Sequence, residues 1–206
     1  ESTDGFKTAK GAVHQLLSTI NRNLAEPPTE VTQAFERRVE IDHPGLGKRD
    51  LSARKYDEVV KVSDGEIKID QKAWDASYLE EGLRRSLSMK EIPDPNKADE
   101  IGQMLKDIAD YVNNGNTLKV RWDFSPELTT AGLTKDDVVN KFLKLITDGK
   151  NPEIRSNIEK AIGIIDPEKS VRDVEWERFL KDFEPKAKKG LFKIEDYANM
   201  RAKLGF

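Results

Sequence analysis

The sequence predicts an α+β protein that is mainly helical, with a small antiparallel three-stranded sheet covered by helices and a bundle-like helical C-terminal half. Three observations lead to this prediction. Apolar and charged residues alternate on both sides of a turn over about 58–70, which is typical of a β-hairpin. A second alternating run spans about 117–124. Almost everywhere else, apolar residues recur at the spacing of an α-helix.

The N-terminal segment is predicted to form two helices and a loop. Pro27-Pro28 ends the first helix, and Thr29 is predicted to cap a second, short helix over 31–39. Proline and glycines then predict a loop over 42–50. The apolar side of the first helix consists of residues spaced three, four or seven apart: Phe6, Val13, Leu16, Leu17, Ile20 and Leu24.

The predicted hairpin turns at Ser63-Asp64-Gly65, because an Asp-Gly pair between two alternating runs is a strong hairpin signal. An isolated hairpin is only marginally stable in water. We therefore expect the run over about 117–124 to join it as a third strand. The apolar face of that strand consists of Leu118, Val120, Trp122 and Phe124.

The remaining apolar periodicities predict helices, whose approximate extents are 74–87, 98–112, 134–149, 152–165, 171–183 and 194–198. Trp74, Trp122 and Trp176 are in phase with apolar stripes and are expected to anchor the core. We expect a single domain over 1–206. The sequence also allows a weak subdomain boundary near residue 125, which we call the seam. It would separate the helices and small sheet of residues 1–125 from a helical subdomain over 126–206.

The composition of the chain argues against several classes of function. The 206 residues include no cysteine and only two histidines, His14 and His43, so a zinc site and cysteine chemistry are not expected. The net charge of -3, with both signs mixed along the chain, argues against general nucleic-acid binding. The longest apolar runs are only a few residues long, so we do not expect membrane insertion. Cytoplasmic and exported locations both stay open.

The loop over 42–50 is the first candidate for chemistry. It combines the imidazole of His43 with Lys48, Arg49 and Asp50 and with exposed backbone amides. Lys48 and Arg49 are candidate anion-binding residues, and His43, Lys48 and Asp50 are candidate catalytic residues. The glycine spacing does not match a phosphate-binding P-loop, and an ordinary surface turn is the favoured interpretation.

A second candidate is a basic patch near the C-terminus. Lys186, Lys188, Lys189 and Lys193 form a candidate partner-binding surface, although lysines also occur in ordinary solvated connections. The segment 185–196 has the length of a calcium-binding loop but lacks carboxylates at its first, third and fifth positions. A site made only of carboxylates is conceivable, but spacing alone identifies none. We therefore predict no metal and no cofactor.

These observations favour a non-catalytic protein-protein interaction module, as a domain of a larger or exported protein, whose partner is another protein. One alternative is a hydrolase or transferase that uses carboxylates and lysine, with an anion-binding loop at 42–50. Another is a structural or assembly subunit, which would associate with itself. A concave pocket that gathers acids and bases would favour the enzyme.

Overall fold

The computed structural model describes residues 3–25, 30–39, 54–90, 92–94 and 99–205. The protein is α+β, with 53% helix, a five-stranded mixed sheet and a separate two-stranded sheet. The candidate loop over 42–50, with His43, Lys48, Arg49 and Asp50, lies outside the described residues. No helix in the described ranges is long and apolar enough to cross a membrane.

The helices are α1 Thr3–Asn23, α2 Leu79–Ser86, α3 Gln103–Asn113, α4 Glu127–Thr130, α5 Lys135–Thr147, α6 Pro152–Ala161, α7 Lys169–Lys186 and α8 Ala198–Leu204. A π-helical turn, Ala187–Leu191, follows α7. The strands are β1 Val31–Val39, β2 Arg54–Val62, β3 Gly65–Lys72, β4 Met89–Lys90, β5 Glu100–Ile101, β6 Val120–Phe124 and β7 Phe192–Ile194. Strands β4 and β5 form the small separate sheet.

The main sheet has the strand order β1-β2-β3-β6-β7. Strands β1, β2 and β3 form an antiparallel meander, whereas β3, β6 and β7 run parallel to one another. The prediction of a three-stranded antiparallel sheet is therefore wrong in both strand number and direction. The reason is the connection: helices α2 and α3 carry the chain back across the sheet between β3 and β6, and such a crossover produces a parallel pair.

The predicted bundle-like C-terminal half is wrong for the same reason. Helices α4 to α7 form the crossover between β6 and β7, and they pack on the sheet as part of one apolar cluster. That cluster includes Tyr56 and Trp122 from the sheet and Phe142 and Phe183 from the helices. The seam proposed near residue 125 stays a prediction.

Strand β1 replaces the short helix predicted over 31–39. Its apolar residues Val31, Phe35 and Val39 are spaced by four, and this spacing fits one face of a helix and one face of a strand equally well. Strand β7 was also missed, because three residues are too few to show a period. The predicted hairpin is confirmed, with Val62 paired to Gly65 across the turn.

Helix α1 occurs where the sequence predicts a helix, but its apolar stripe is not the buried side. His14, Ser18 and Arg22, which are spaced by four, are buried against the sheet. Val13 and Leu16 are 56% and 60% exposed. The sheet therefore has an apolar face, covered by α2 to α7, and a polar face, covered by α1.

Candidate functional site

The candidate site lies where β2 and β3 separate. Their ladder ends at the pair Glu58 and Ile69. Beyond it, the Asp57 carboxylate accepts a hydrogen bond from the backbone amide of Gln71 at 2.7 Å. A side chain therefore replaces the usual backbone acceptor, and Asp57 is held opposite the end of β3.

Asp70 is the second carboxylate of the site and is only 2% exposed. Its Oδ2 lies 2.6 Å from Nη2 of Arg54 and 2.7 Å from Nζ of Lys72. Both distances are those of ion pairs, so this buried oxygen is held between two cations. Among the described residues, the buried amide oxygen of Gln71 has no hydrogen-bond partner. Buried polar atoms without partners are rare in folded proteins.

The two carboxyl groups are close enough to share a proton. Burial and the charge of Asp70 raise the pKa of Asp57 to about 6. Although burial alone would raise the pKa of Asp70, Lys72 and Arg54 lower it below its ordinary value. Opposite shifts in neighbouring carboxyls are typical of functional sites, because one group holds the proton while the other stays ionised.

Lys72 completes a group of three side chains with Asp57 and Asp70, which we call the carboxylate-lysine site. Its Nζ lies 2.7 Å from Asp70 Oδ2, donates a hydrogen bond to the side-chain oxygen of Gln103, and lies 5.0 Å from the ring centre of Trp122. These contacts hold the cation against the buried carboxylate of Asp70.

An open pocket of about 560 Å³ adjoins this site at the carboxyl end of β3. Gln71 and Lys72 line one side of it, Lys10 of α1 lines another, and the loop 73–78 forms a third. In sheets with parallel strands, ligands bind in crevices beyond the carboxyl ends of the strands. The pocket next to β3, which is parallel to β6, has this location.

A second open pocket, of about 410 Å³, lies on the other side of Lys10. The ion pair between Lys10 and Glu127 lies at its edge, and His14 and Tyr197 line it. Lys10 and Ala73 line both pockets, so the two openings adjoin each other beside α1, and we call this pair of adjoining pockets the groove.

His14 is a structural residue in this arrangement. Its Nδ1 pairs with the hydroxyl of Tyr197, and its Nε2 donates to the backbone carbonyl of Asp123 at 3.1 Å. Burial lowers the pKa of His14, so the ring is neutral at pH 7. With both nitrogens engaged, the ring links α1 to β6 and to the C-terminal segment.

Arg22 is the main attachment of α1 to the sheet. Its Nη1 donates to Asp123 at 3.1 Å and to Glu195 at 2.9 Å, and its Nη2 donates to Glu58. Burial and the neighbouring charge of Asp123 raise the pKa of Glu195 to about 7. The helix that lines the groove is therefore fixed by a buried guanidinium among three carboxyl groups.

The lysines of the predicted basic patch lie at the end of α7, in the π-helical turn and in β7. Lys186 pairs with Asp182 at 2.7 Å, Lys188 pairs with Glu184, and Lys193 lies 3.6 Å from Glu195. The backbone carbonyl of Lys189 accepts a hydrogen bond from Lys135. Much of the patch charge is thus balanced within the chain, and its role in partner binding stays a prediction.

Sequence reasoning missed Asp57, Asp70 and Lys72. A signal was present: Asp70 ends the predicted hairpin over about 58–70, and Asp57 and Lys72 lie just beyond its two ends. Alternation places Asp70 and Lys72 on one face, and hairpin pairing brings Asp57 opposite Asp70.

No cluster of three or more metal-ligating side chains occurs in the part of the chain that the structure describes. Mg²⁺, however, is often held by one or two carboxylates, with water and substrate phosphates as its other ligands. Comparison with family models, curated proteins and solved structures found no significant match.

Proposed function

We propose that this protein is a divalent-cation-dependent phosphodiester hydrolase that acts on nucleic acid. The observation that carries the proposal is the pair of neighbouring carboxyl groups of Asp57 and Asp70, whose pKa values shift in opposite directions, beside Lys72. Two neighbouring carboxyl groups match the preference of Mg²⁺ or Mn²⁺ for hard oxygen ligands. Asp57 and Asp70 would bind the ion, with water and substrate oxygens as its other ligands.

The chemistry follows from these residues. A divalent ion held by Asp57 and Asp70 would supply Lewis-acid chemistry and a more acidic water as the nucleophile. Lys72 and Lys10 line the same pocket, each paired with a carboxylate, Asp70 or Glu127, and would add local positive charge for the anionic substrate. In the hydrolysis, water forms a bond to phosphorus and releases a proton, one phosphorus-oxygen bond to a sugar breaks, and the leaving oxygen takes up that proton.

The shape of the site favours a long substrate. Sites for small molecules usually enclose most of the ligand surface. Here, two open pockets adjoin each other at Lys10, and a strand would lie across both of them. The net charge of -3 argues against tight general binding, but cleavage requires only local cations at the scissile phosphate.

The test is cleavage of labelled DNA and RNA, and of bis(4-nitrophenyl) phosphate, with Mg²⁺ or Mn²⁺ and with EDTA. We expect metal-dependent cleavage that falls at least about a hundredfold in Asp57→Asn, Asp70→Asn and Lys72→Gln. Matched controls with the same chemical changes on the exposed side of the hairpin are Asp64→Asn and Lys61→Gln. Absence of cleavage in the native chain, or unchanged cleavage by folded Asp57→Asn and Asp70→Asn, would overturn the proposal.

A second candidate is the interaction module expected from composition, and one observation supports it. Val13 and Leu16 on α1 and Val31 and Phe35 on the edge strand β1 expose 48–60% of their surface. Contiguous exposed apolar surface often marks an interface with another protein.

The assembly alternative predicts a solution mass above 23.4 kDa that Leu16→Lys returns to the monomer value. A native chain that is monomeric at high concentration would contradict self-assembly.

A further inference from the structure

The pocket beside the carboxylate-lysine site has an aromatic wall. Trp74 and Tyr78 lie 5.7 Å apart between ring centres, at an interplanar angle of 84°. Trp74 also packs against Trp122 and Phe124 at 5.8 and 5.6 Å. Its ring fills the space beside Gly82, where an added Cβ would lie 2.7 Å from the ring. Trp74 is thus fixed by the core, while Tyr78 is 36% exposed.

The loop that carries these rings is ordered by its own hydrogen bonds. Asp75 Oδ1 accepts from the hydroxyl of Ser77 at 2.6 Å and from the backbone amide of Tyr78 at 3.0 Å. A wall that is already ordered loses little conformational entropy when a flat ligand stacks on it.

The same pocket contains both the aromatic wall and the cation. Trp74, Tyr78 and Lys72 all line it, and Lys72 contacts Asp70. A flat group on the wall and a phosphate at Lys72 would therefore lie in one continuous space of about 560 Å³, which is within the usual range for ligand pockets.

We propose that the pocket walled by Trp74 and Tyr78 holds an unpaired base of the strand whose phosphodiester lies at Lys72. This inference rests on the proposed function for the identity of the strand. Aromatic side chains bind unpaired bases of any sequence by stacking, whereas a base within a duplex is already covered on both faces. The protein therefore prefers single-stranded nucleic acid.

The test measures binding in EDTA, where no cleavage occurs, with fluorescein-labelled oligothymidylate and with the same oligomer paired to its complement. We expect the native chain to bind the single strand at least about tenfold more tightly than the duplex. Tyr78→Ala is expected to lose roughly five- to hundredfold in affinity for the single strand, whereas Tyr78→Phe keeps it. Phe35→Ala is a control, because Phe35 is an exposed aromatic residue outside the pocket.

The outcomes separate the two proposals. Equal binding of single strand and duplex, or unchanged single-strand affinity in Tyr78→Ala, overturns the base pocket even if cleavage is observed. Preferential binding that depends on Tyr78, without metal-dependent cleavage, supports the base pocket and overturns the hydrolase. Absence of any binding overturns the base pocket.

Discussion

The side-chain carboxylate of Asp57 accepts a hydrogen bond from the backbone amide of Gln71 at 2.7 Å, beyond the last paired residues of β2 and β3. This single bond places Asp57 beside Asp70 and fixes the spacing of the carboxylate-lysine site. Because the acceptor is a side chain rather than a backbone carbonyl, the bond depends on the ionisation of Asp57.

Cleavage should therefore depend on the titration of Asp57. Burial and Asp70 raise the pKa of Asp57 to about 6, so below that pH the carboxyl becomes protonated and binds a metal ion poorly. We expect the rate to fall about tenfold for each pH unit below about 6. The measurement is the pH profile of cleavage at a fixed Mg²⁺ concentration below saturation, with Asp64→Asn as the control. A rate that stays constant down to about pH 5 would contradict this role of Asp57.

Removal of Arg22 should strongly destabilise the protein. Arg22→Ala leaves Glu58, Asp123 and Glu195 buried without their shared cation. Breaking a buried ion pair from one side costs about 3–5 kcal/mol in the free energy of unfolding. Urea denaturation measures this loss. Arg37→Ala, which removes an exposed pair with Glu66, should change stability by less than about 1 kcal/mol. Equal effects of the two variants would contradict the assigned role of Arg22.

Stability should fall as pH rises from about 4.5 to about 7, through the titration of Glu195. Its pKa in the folded protein is raised to about 7, so in this window the folded state holds a proton that the unfolded chain releases. Glu195→Gln removes this contribution, and its Tm should decline by several degrees less than that of the native chain across the window, since 1 kcal/mol corresponds to roughly 2–4 °C. Thermal unfolding at several pH values measures the difference. Glu66→Gln, at an exposed position, should follow the native curve.

Substitution of Gly102 and of Gly11 by alanine should change the free energy of unfolding in opposite directions. A Cβ on Gly102 would overlap the backbone carbonyl of Ser86, so Gly102→Ala should cost about 2–3 kcal/mol in the free energy of unfolding. Gly11 lies within α1, where no atom of the described residues is within 4 Å of an added Cβ, and Gly11→Ala should stabilise the helix by roughly 0.5–1 kcal/mol. Denaturant unfolding of both variants tests the pair, and destabilisation by Gly11→Ala would contradict the open space at that position.

Local patterns predicted much of the secondary structure. Thr134 caps α5 through a reciprocal bond with Asp137, and Pro152 begins α6, as the sequence indicates. The Asp64-Gly65 turn also lies where its composition predicts it. These features depend on residues that are close in sequence, so a linear pattern contains the necessary information.

Local sequence patterns predict only part of the carboxylate-lysine site. Hairpin pairing alone brings Asp57 towards Asp70, but their significance depends on burial and on neighbours such as Arg54. The sequence instead directed attention to His43 and Lys48, because imidazole and lysine beside glycines are typical of anion-binding loops. The protonation and reactivity of a carboxylate depend on its burial and on the side chains around it. The composition of the chain does not show which side chains these are.

The sequence by itself determined most of the helices, the hairpin and the lack of cysteine, because each depends on residue type or on short-range spacing. Only the tertiary structure decided that β6 runs parallel to β3, that 31–39 is a strand, and that α1 buries His14 and Arg22 rather than its apolar stripe. Strand direction follows from the path of the connecting helices, and the buried side of a helix follows from the surface it contacts. On this sheet that surface contains Glu58 and Asp123, so the polar side of α1 is the complementary one.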